Sequence, residues 1–179
     1  LMGEANKDIT NNMFLGETPK EEAKSYSDLH TEVEKVTTVS CKPLDEMLGD
    51  EIIDFLKIDV EGAELKVLEG ANKKLINKEI LFIKTEFVCF KYYKEHPVFG
   101  YLHSYLSDLG YRLLTIDLEQ PRYKRKPTNI PSHNDKELVY AGDAYFCLDP
   151  DLFTHSNDTL QRLAFISMAL GFNSLGISF

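Results

Sequence analysis

Ile53-Asp54-Phe55-Leu56-Lys57-Ile58-Asp59-Val60-Glu61-Gly62-Ala63-Glu64 is the stretch that decides how the rest of the chain is read. It opens as an apolar run rich in Ile, Leu and Phe, the pattern of a buried strand. The run breaks at Gly62. It resumes as a helix reaching Asn77, with Leu65, Leu68 and Leu75 near one face and Lys66, Lys73 and Lys74 off it. A strand running straight into a helix is half of a parallel βα unit. Ligands of open α/β sheets sit at the carboxyl ends of the strands. Asp59 and Glu61 fall there, and Glu64 begins the helix. Alternation puts Phe55, Lys57 and Asp59 on one side and Leu56, Ile58 and Val60 on the other. A Lys and an Asp at the end of a buried strand cost on the order of several kcal/mol in desolvation unless they are paired or used in chemistry.

Working outward, residues 1–32 read as an irregular lead-in with sparse apolar residues and a turn at Gly16-Glu17-Thr18-Pro19. Val33 to Val39 reads as a strand, and Pro43 to Leu48 as a short helix stopped by Gly49. Glu79 to Phe87 is apolar on both faces, as a central parallel strand is. An aromatic and basic loop follows from Val88 to Pro97, then a helix from Val98 to Leu109 stopped by Gly110, then a strand from Tyr111 to Leu118. Gln120 to Lys136 is a loop with three prolines and a basic run, Arg122, Lys124, Arg125 and Lys126. Leu138–Tyr140 and Ala144–Leu148 are strand-like, and this last strand is expected to be antiparallel. Thr159 to Leu170 is a helix, capped by Asn157 or Asp158 and stopped by Gly171, whose broad apolar stripe reads as core or interface. The alternation of strands and helices gives an α/β fold.

A chain of 179 residues suffices for one domain with its own core. A net charge of -9 argues against a general nucleic-acid binder, which needs a basic face for phosphates. No apolar run reaches the length of a membrane span, and the start does not read as a signal peptide. Cys41, Cys89 and Cys147 form no Cys-x-x-Cys pair, so they read as buried reduced thiols in a cytoplasmic protein.

The segment DFLKIDVEGAELKVLEGA closely resembles the signature of FkbM-type methyltransferases. The resemblance continues through Pro43-Leu44-Asp45, ILFIKTEF with Glu86, LSDLGYRLLTID and DAYFCL, and covers roughly Val36 to Leu148. It implies a Rossmann-like class I methyltransferase sheet, S-adenosylmethionine as cofactor, and O-methylation of a hydroxyl on a small molecule, sugar or glycolipid. Residues 33–150 would then be a partial domain and 151–179 a C-terminal helical extension. Methyltransferases of this class hold their cofactor through a glycine-rich turn in the first βα unit. The glycines before Asp54 are Gly3, Gly16 and Gly49, each isolated. The chain is therefore expected to correspond to the second half of the family's domain. Its sheet would expose an edge that invites self-association, so a homodimer is expected. The competing reading is a non-catalytic remnant or interaction module that has lost cofactor binding.

Asp59 is the first candidate for catalysis and for contact with the cofactor, where a carboxylate can orient an acceptor hydroxyl or take its proton. Glu61 is a second catalytic candidate, although it and Glu64 also suit the positive end of a helix. Glu86 ends the next parallel strand and should lie beside Asp59. Two carboxylates held there can share a proton and make one a stronger base. They also have oxygen ligands for a divalent cation. No His-rich motif accompanies them, so a metal-dependent hydrolase is the weakest reading and no metal site is assigned. Lys57 reads as a partner for a neighbouring carboxylate. Lys57, His96 and Tyr92 are the candidate substrate contacts, with Tyr92 and Tyr93 able to stack on a ring. The basic run after Pro121 would attract an anionic substrate or simply be solvated. Asp117 and Glu119 read as structural.

Overall fold

The computed structural model describes residues 37–89, 91, 97–118, 139 and 141–179. In chain order its elements are α1 (Leu44–Met47), β1 (Ile53–Ile58), α2 (Glu64–Glu69), α3 (Asn72–Ile76), β2 (Ile80–Val88), α4 (Phe99–Asp108), β3 (Tyr111–Leu118), β4 (Ala141–Leu148), α5 (Asn157–Ala169) and α6 (Asn173–Ser178). Among the described residues the strands form one four-stranded sheet in the order β1-β2-β4-β3. β1 and β2 are parallel, with Phe55 beside Phe82 and Lys57 beside Lys84. β4 runs antiparallel to both β2 and β3, between them. The α/β expectation and the antiparallel last strand are both found.

β2 has a neighbour on each edge and helices over each face, which is why its apolar residues are buried whichever way they point. On one face Phe99 of α4 packs 4.4 Å from Phe87, and Leu102 and Leu106 are buried. Leu68 and Leu75 of α2 and α3 are fully buried. On the other face Phe172, just before α6, stacks 6.5 Å from Phe82 and meets Tyr145 edge-on at 6.0 Å. Leu163 of α5 is fully buried in the same core. Each such side chain contributes about 1.5–3 kcal/mol, so residues 151–179 supply one wall of the core. Within the apolar stripe of α5, Leu160, Leu163, Ile166 and Leu170 join the core and Phe165 is exposed.

Several local expectations are corrected. The residues 37–39 of the expected Val33–Val39 strand are not in a strand, and 33–36 lie outside the described residues. β1 is an edge strand of the described sheet, so Lys57 and Asp59 are half exposed and carry no large desolvation cost. The single helix expected up to Asn77 is two, broken at Gly70-Ala71. The Gly70 carbonyl accepts from the Asp45 amide at 3.0 Å. The Asp45 carboxylate accepts from the amides of Lys73 and Lys74 at 3.0 and 3.1 Å. A side chain some thirty residues upstream therefore caps α3, satisfying orphan N–H groups and meeting the positive end of the helix. The restart also turns Lys74 inward, where its ammonium donates to the Glu51 carbonyl at 2.7 Å and Glu79 at 3.0 Å.

β4 begins three residues before the expected Ala144–Leu148 strand and so includes Gly142. A Cβ there would sit 2.2 Å from the Asp117 carbonyl, so glycine is needed for β3 and β4 to approach. At the far end of the same pair, Arg112 grips Asp149 through two bonds of 2.9 Å. Helix α5 is capped by Ser156, whose hydroxyl accepts from the Thr159 amide at 3.1 Å, and not by Asn157 or Asp158. Both of those residues are already helical. Of the cysteines, only Cys147 is buried; Cys41 precedes α1 and Cys89 follows β2, and both are exposed, although partial burial of its thiol raises Cys89 above the ordinary value.

Asp45→Ala should destabilise the chain by about 1–2 kcal/mol, the usual value of a lost cap, seen as a fall of roughly 2–8 °C in the thermal midpoint. Burial pushes the Cys147 thiol up to about 12 from an ordinary 9.0. Iodoacetamide at neutral pH should therefore label Cys41 and Cys89 in the native chain and Cys147 only on unfolding. As pH rises past about 9, the unfolded thiol ionises while the folded one stays protonated, so Cys147 should lower stability progressively up to about 12.

Candidate functional site

The site is built by the turn that follows β1. Glu61 and Gly62 both lie in the left-handed region, at φ +52° and +100°. Glycine adopts this freely, whereas Glu61 carries a cost of roughly 1–2 kcal/mol. The offset comes from Glu64, the first residue of α2, which is only 1% exposed. Its carboxylate accepts from the amides of Val60 at 3.2 Å and Gly62 at 3.1 Å. A carboxylate at the first helical position pairs amides of the turn that leads into the helix. Glu64 is thus the residue that holds the turn, a role its position at the start of the helix had only hinted at.

Held this way, the turn brings Asp59 beside Glu86, as their strand ends predict, and adds Glu61 to them. Asp59, Glu61 and Glu86 each place an oxygen within 4.8 Å of the others. Asp59 and Glu61 are exposed and Glu86 is half-buried. Lys57 donates to Asp59 at 2.5 Å with both side chains half exposed, so the pair is worth at most about 1 kcal/mol. It orients Asp59, as expected of a carboxylate partner.

Three further residues complete this face and were not singled out by sequence reasoning. Lys84 stands beside Lys57 in the register of β1 and β2. Its ammonium lies 2.9 Å from Asp143 of β4 and 5.2 Å from the centre of the Tyr145 ring. The hydrogen bond to Asp143 raises the Lys84 pKa above the ordinary lysine value against the opposing effect of burial. Asp143 is directly opposite Glu86 across one strand pair and opposite Asp117 across the other. Like charges so placed repel by about 0.2–1 kcal/mol, and Lys84 supplies the countercharge. The alternation Phe82, Lys84, Glu86 along β2 was the available signal for Lys84. Asp143 and Tyr145 needed the register of the antiparallel pair.

The face therefore presents a row of ammonium groups, Lys57 and Lys84, and above it a row of carboxylates, Asp59, Glu86 and Asp143, at the carboxyl ends of two parallel strands. Carboxylates this close can accept hydrogen bonds from hydroxyl groups, share a proton or surround one cation. Tyr92, His96 and the basic run from Arg122 to Lys126 lie outside the described residues.

The family model described as Methyltransferase FkbM domain matches residues 2–113. That range begins in the segment read as a lead-in and takes in β1, the turn and β2, with Asp59, Glu61, Glu64 and Glu86. No curated protein and no solved structure matches the chain. With more than half of its residues matched, the chain belongs to the methyltransferase FkbM domain family.

Proposed function

We propose that this chain carries the acceptor-activating part of an S-adenosylmethionine-dependent O-methyltransferase acting on a hydroxyl of a small molecule, sugar or lipid-linked glycan. The observation that carries the reading is the convergence of Asp59, Glu61 and Glu86 at the ends of two parallel strands. S-adenosylmethionine, when bound, supplies an electrophilic methyl group on a positively charged sulfur. The work left to the protein is in-line positioning and removal of the hydroxyl proton. Asp59, oriented by Lys57, takes that proton, and Glu86 accepts the hydrogen bond of a neighbouring hydroxyl. Glu61 lines the same opening. Tyr92 and His96, on the loop after β2, are proposed as further substrate contacts. The sheet order, with an antiparallel strand inserted beside the parallel pair, supports a Rossmann-like reading of the fold. The carboxylates fit a sulfonium and an acceptor hydroxyl. No glycine-rich turn for the methionine portion is found before Asp54.

The second reading is that this polypeptide is an interaction module without cofactor binding. Among the described residues no helix is long and apolar enough to cross a membrane. The cysteines are unpaired, which suits a reducing, cytoplasmic setting.

Titration calorimetry of the whole chain with S-adenosylhomocysteine, the reaction product, separates the two readings. The enzyme reading expects micromolar binding that falls at least roughly tenfold in Asp59→Ala, a difference of about 1.4 kcal/mol. A folded sample that shows no heat at millimolar ligand sinks it and leaves the interaction module. The same variants separate chemistry from architecture. Asp59→Ala should leave the thermal midpoint nearly unchanged, within about 0.5 kcal/mol. Glu64→Ala strands two amides and should cost about 1–3 kcal/mol.

A further inference from the structure

Lys57 and Lys84 stand side by side in the register of β1 and β2, each two residues before a carboxylate on the same face. They are used differently. Lys57 bonds the acid of its own strand, Asp59. Lys84 turns across to β4, where its ammonium lies 2.9 Å from Asp143 and also donates to the Tyr145 hydroxyl. Tyr145 is in turn set edge-on against Phe172. The side chains of Lys84 and Asp143 are 21% and 34% exposed, so solvent and salt screen this pair less than the half-exposed Lys57–Asp59 pair.

The carboxylate that Lys84 holds is the cross-strand neighbour of Glu86. Glu86 is half-buried. The charged groups of the described residues that stand around it are Asp59 and Glu61 from the end of β1 and its turn, Lys84 on its own strand, and Asp143 on β4. Lys57 is one row back on β1, and Asp117 of β3 lies one strand beyond Asp143. We infer that Lys84 is a positioning residue of this site: by binding Asp143 it cancels the charge beside Glu86, and so keeps Glu86 an ionised acceptor for a substrate hydroxyl. This assignment rests on the proposed reading of Glu86 as the partner of such a hydroxyl. A carboxylate beside an uncompensated carboxylate holds its proton to higher pH. Without Lys84, Asp143 becomes that uncompensated neighbour. A protonated Glu86 carries an O–H donor where the ionised form only accepts. Lys57 does the matching work for Asp59 on the β1 side.

Carboxyl-carbon NMR titration of the whole chain tests this without cofactor or acceptor. The Glu86 and Asp143 signals are assigned by their loss in Glu86→Gln and Asp143→Asn. In Lys84→Met the Glu86 midpoint should rise by roughly half to one pH unit, a three- to tenfold gain in proton affinity, and Lys84→Arg should restore it. In Asp143→Asn the like charge itself is gone and Lys84 is released beside Glu86, so the midpoint should fall by about half a unit. A merely structural role for Lys84 would lower thermal stability and leave the midpoints alone. A folded Lys84→Met whose Glu86 midpoint stays within about 0.2 of a unit of wild type overturns the inference, and so does Asp143→Asn without a fall. If Lys84→Met does not fold, Asp143→Asn decides alone. Calorimetry of the wild type with S-adenosylhomocysteine keeps the two readings apart. No heat there sinks the enzyme reading whatever the midpoints do, whereas binding with unmoved midpoints sinks only the role of Lys84.

Discussion

The buried carboxylate of Glu64 is the contact on which the site depends. It satisfies two amides of a turn that would otherwise leave them unpaired, and so permits a glutamate to sit in a backbone region it ordinarily avoids. Each such bond in a partly exposed turn contributes about 0.5–1.5 kcal/mol, so the two together are comparable to the cost of the left-handed Glu61. The two terms are coupled: without the bonds the turn would relax, and Asp59 and Glu61 would no longer converge on Glu86. A single buried side chain thus sets where the exposed carboxylates of Asp59 and Glu61 point.

The elements behind the turn are fixed by a similar economy of long-range contacts. Asp45 caps α3 across a long stretch of chain, and Lys74 in α3 ties the residues leading into β1 to those leading into β2. These contacts place α2 and α3 over one sheet face, with Leu68 and Leu75 inward. The opposite face is apolar only near Phe82, where Phe172 packs. Beyond that point it becomes the lysine and carboxylate rows. One face of one sheet is thus core at its base and candidate site at its rim.

Much of this was legible because it is local. The apolar run of β1, the Gly62 break, the apolar run of β2 and the glycine stops at Gly49, Gly110 and Gly171 all depend on residues within one or two turns. Asp59, Glu61 and Glu86 could be grouped because parallel neighbours put successive strand ends side by side. What was not legible depended on residues far apart in sequence. The break at Gly70 needs Asp45. The burial of Lys74 needs the carbonyl of Glu51. The half exposure of Lys57 needs β1 to lie at an edge. Gly142 looks like punctuation until the Asp117 carbonyl is beside it, and Asp143 joins the site only through its antiparallel register.

The position of β4 has a consequence for how the molecule is made. The last strand in the chain occupies an interior place in the sheet, and it is the neighbour that joins β3 to β2. During synthesis β3 emerges before β4, its partner among the described strands. Its grip through Arg112 waits for Asp149, and the second wall of the core waits for Leu163 and Phe172. The sheet therefore cannot close from its amino-terminal side alone. Contacts of such wide sequence separation form slowly, and a nascent chain holding an unpaired β3 presents a strand edge to chaperones and to its neighbours. Closure of this sheet is thereby deferred until β4, α5 and α6 have left the ribosome.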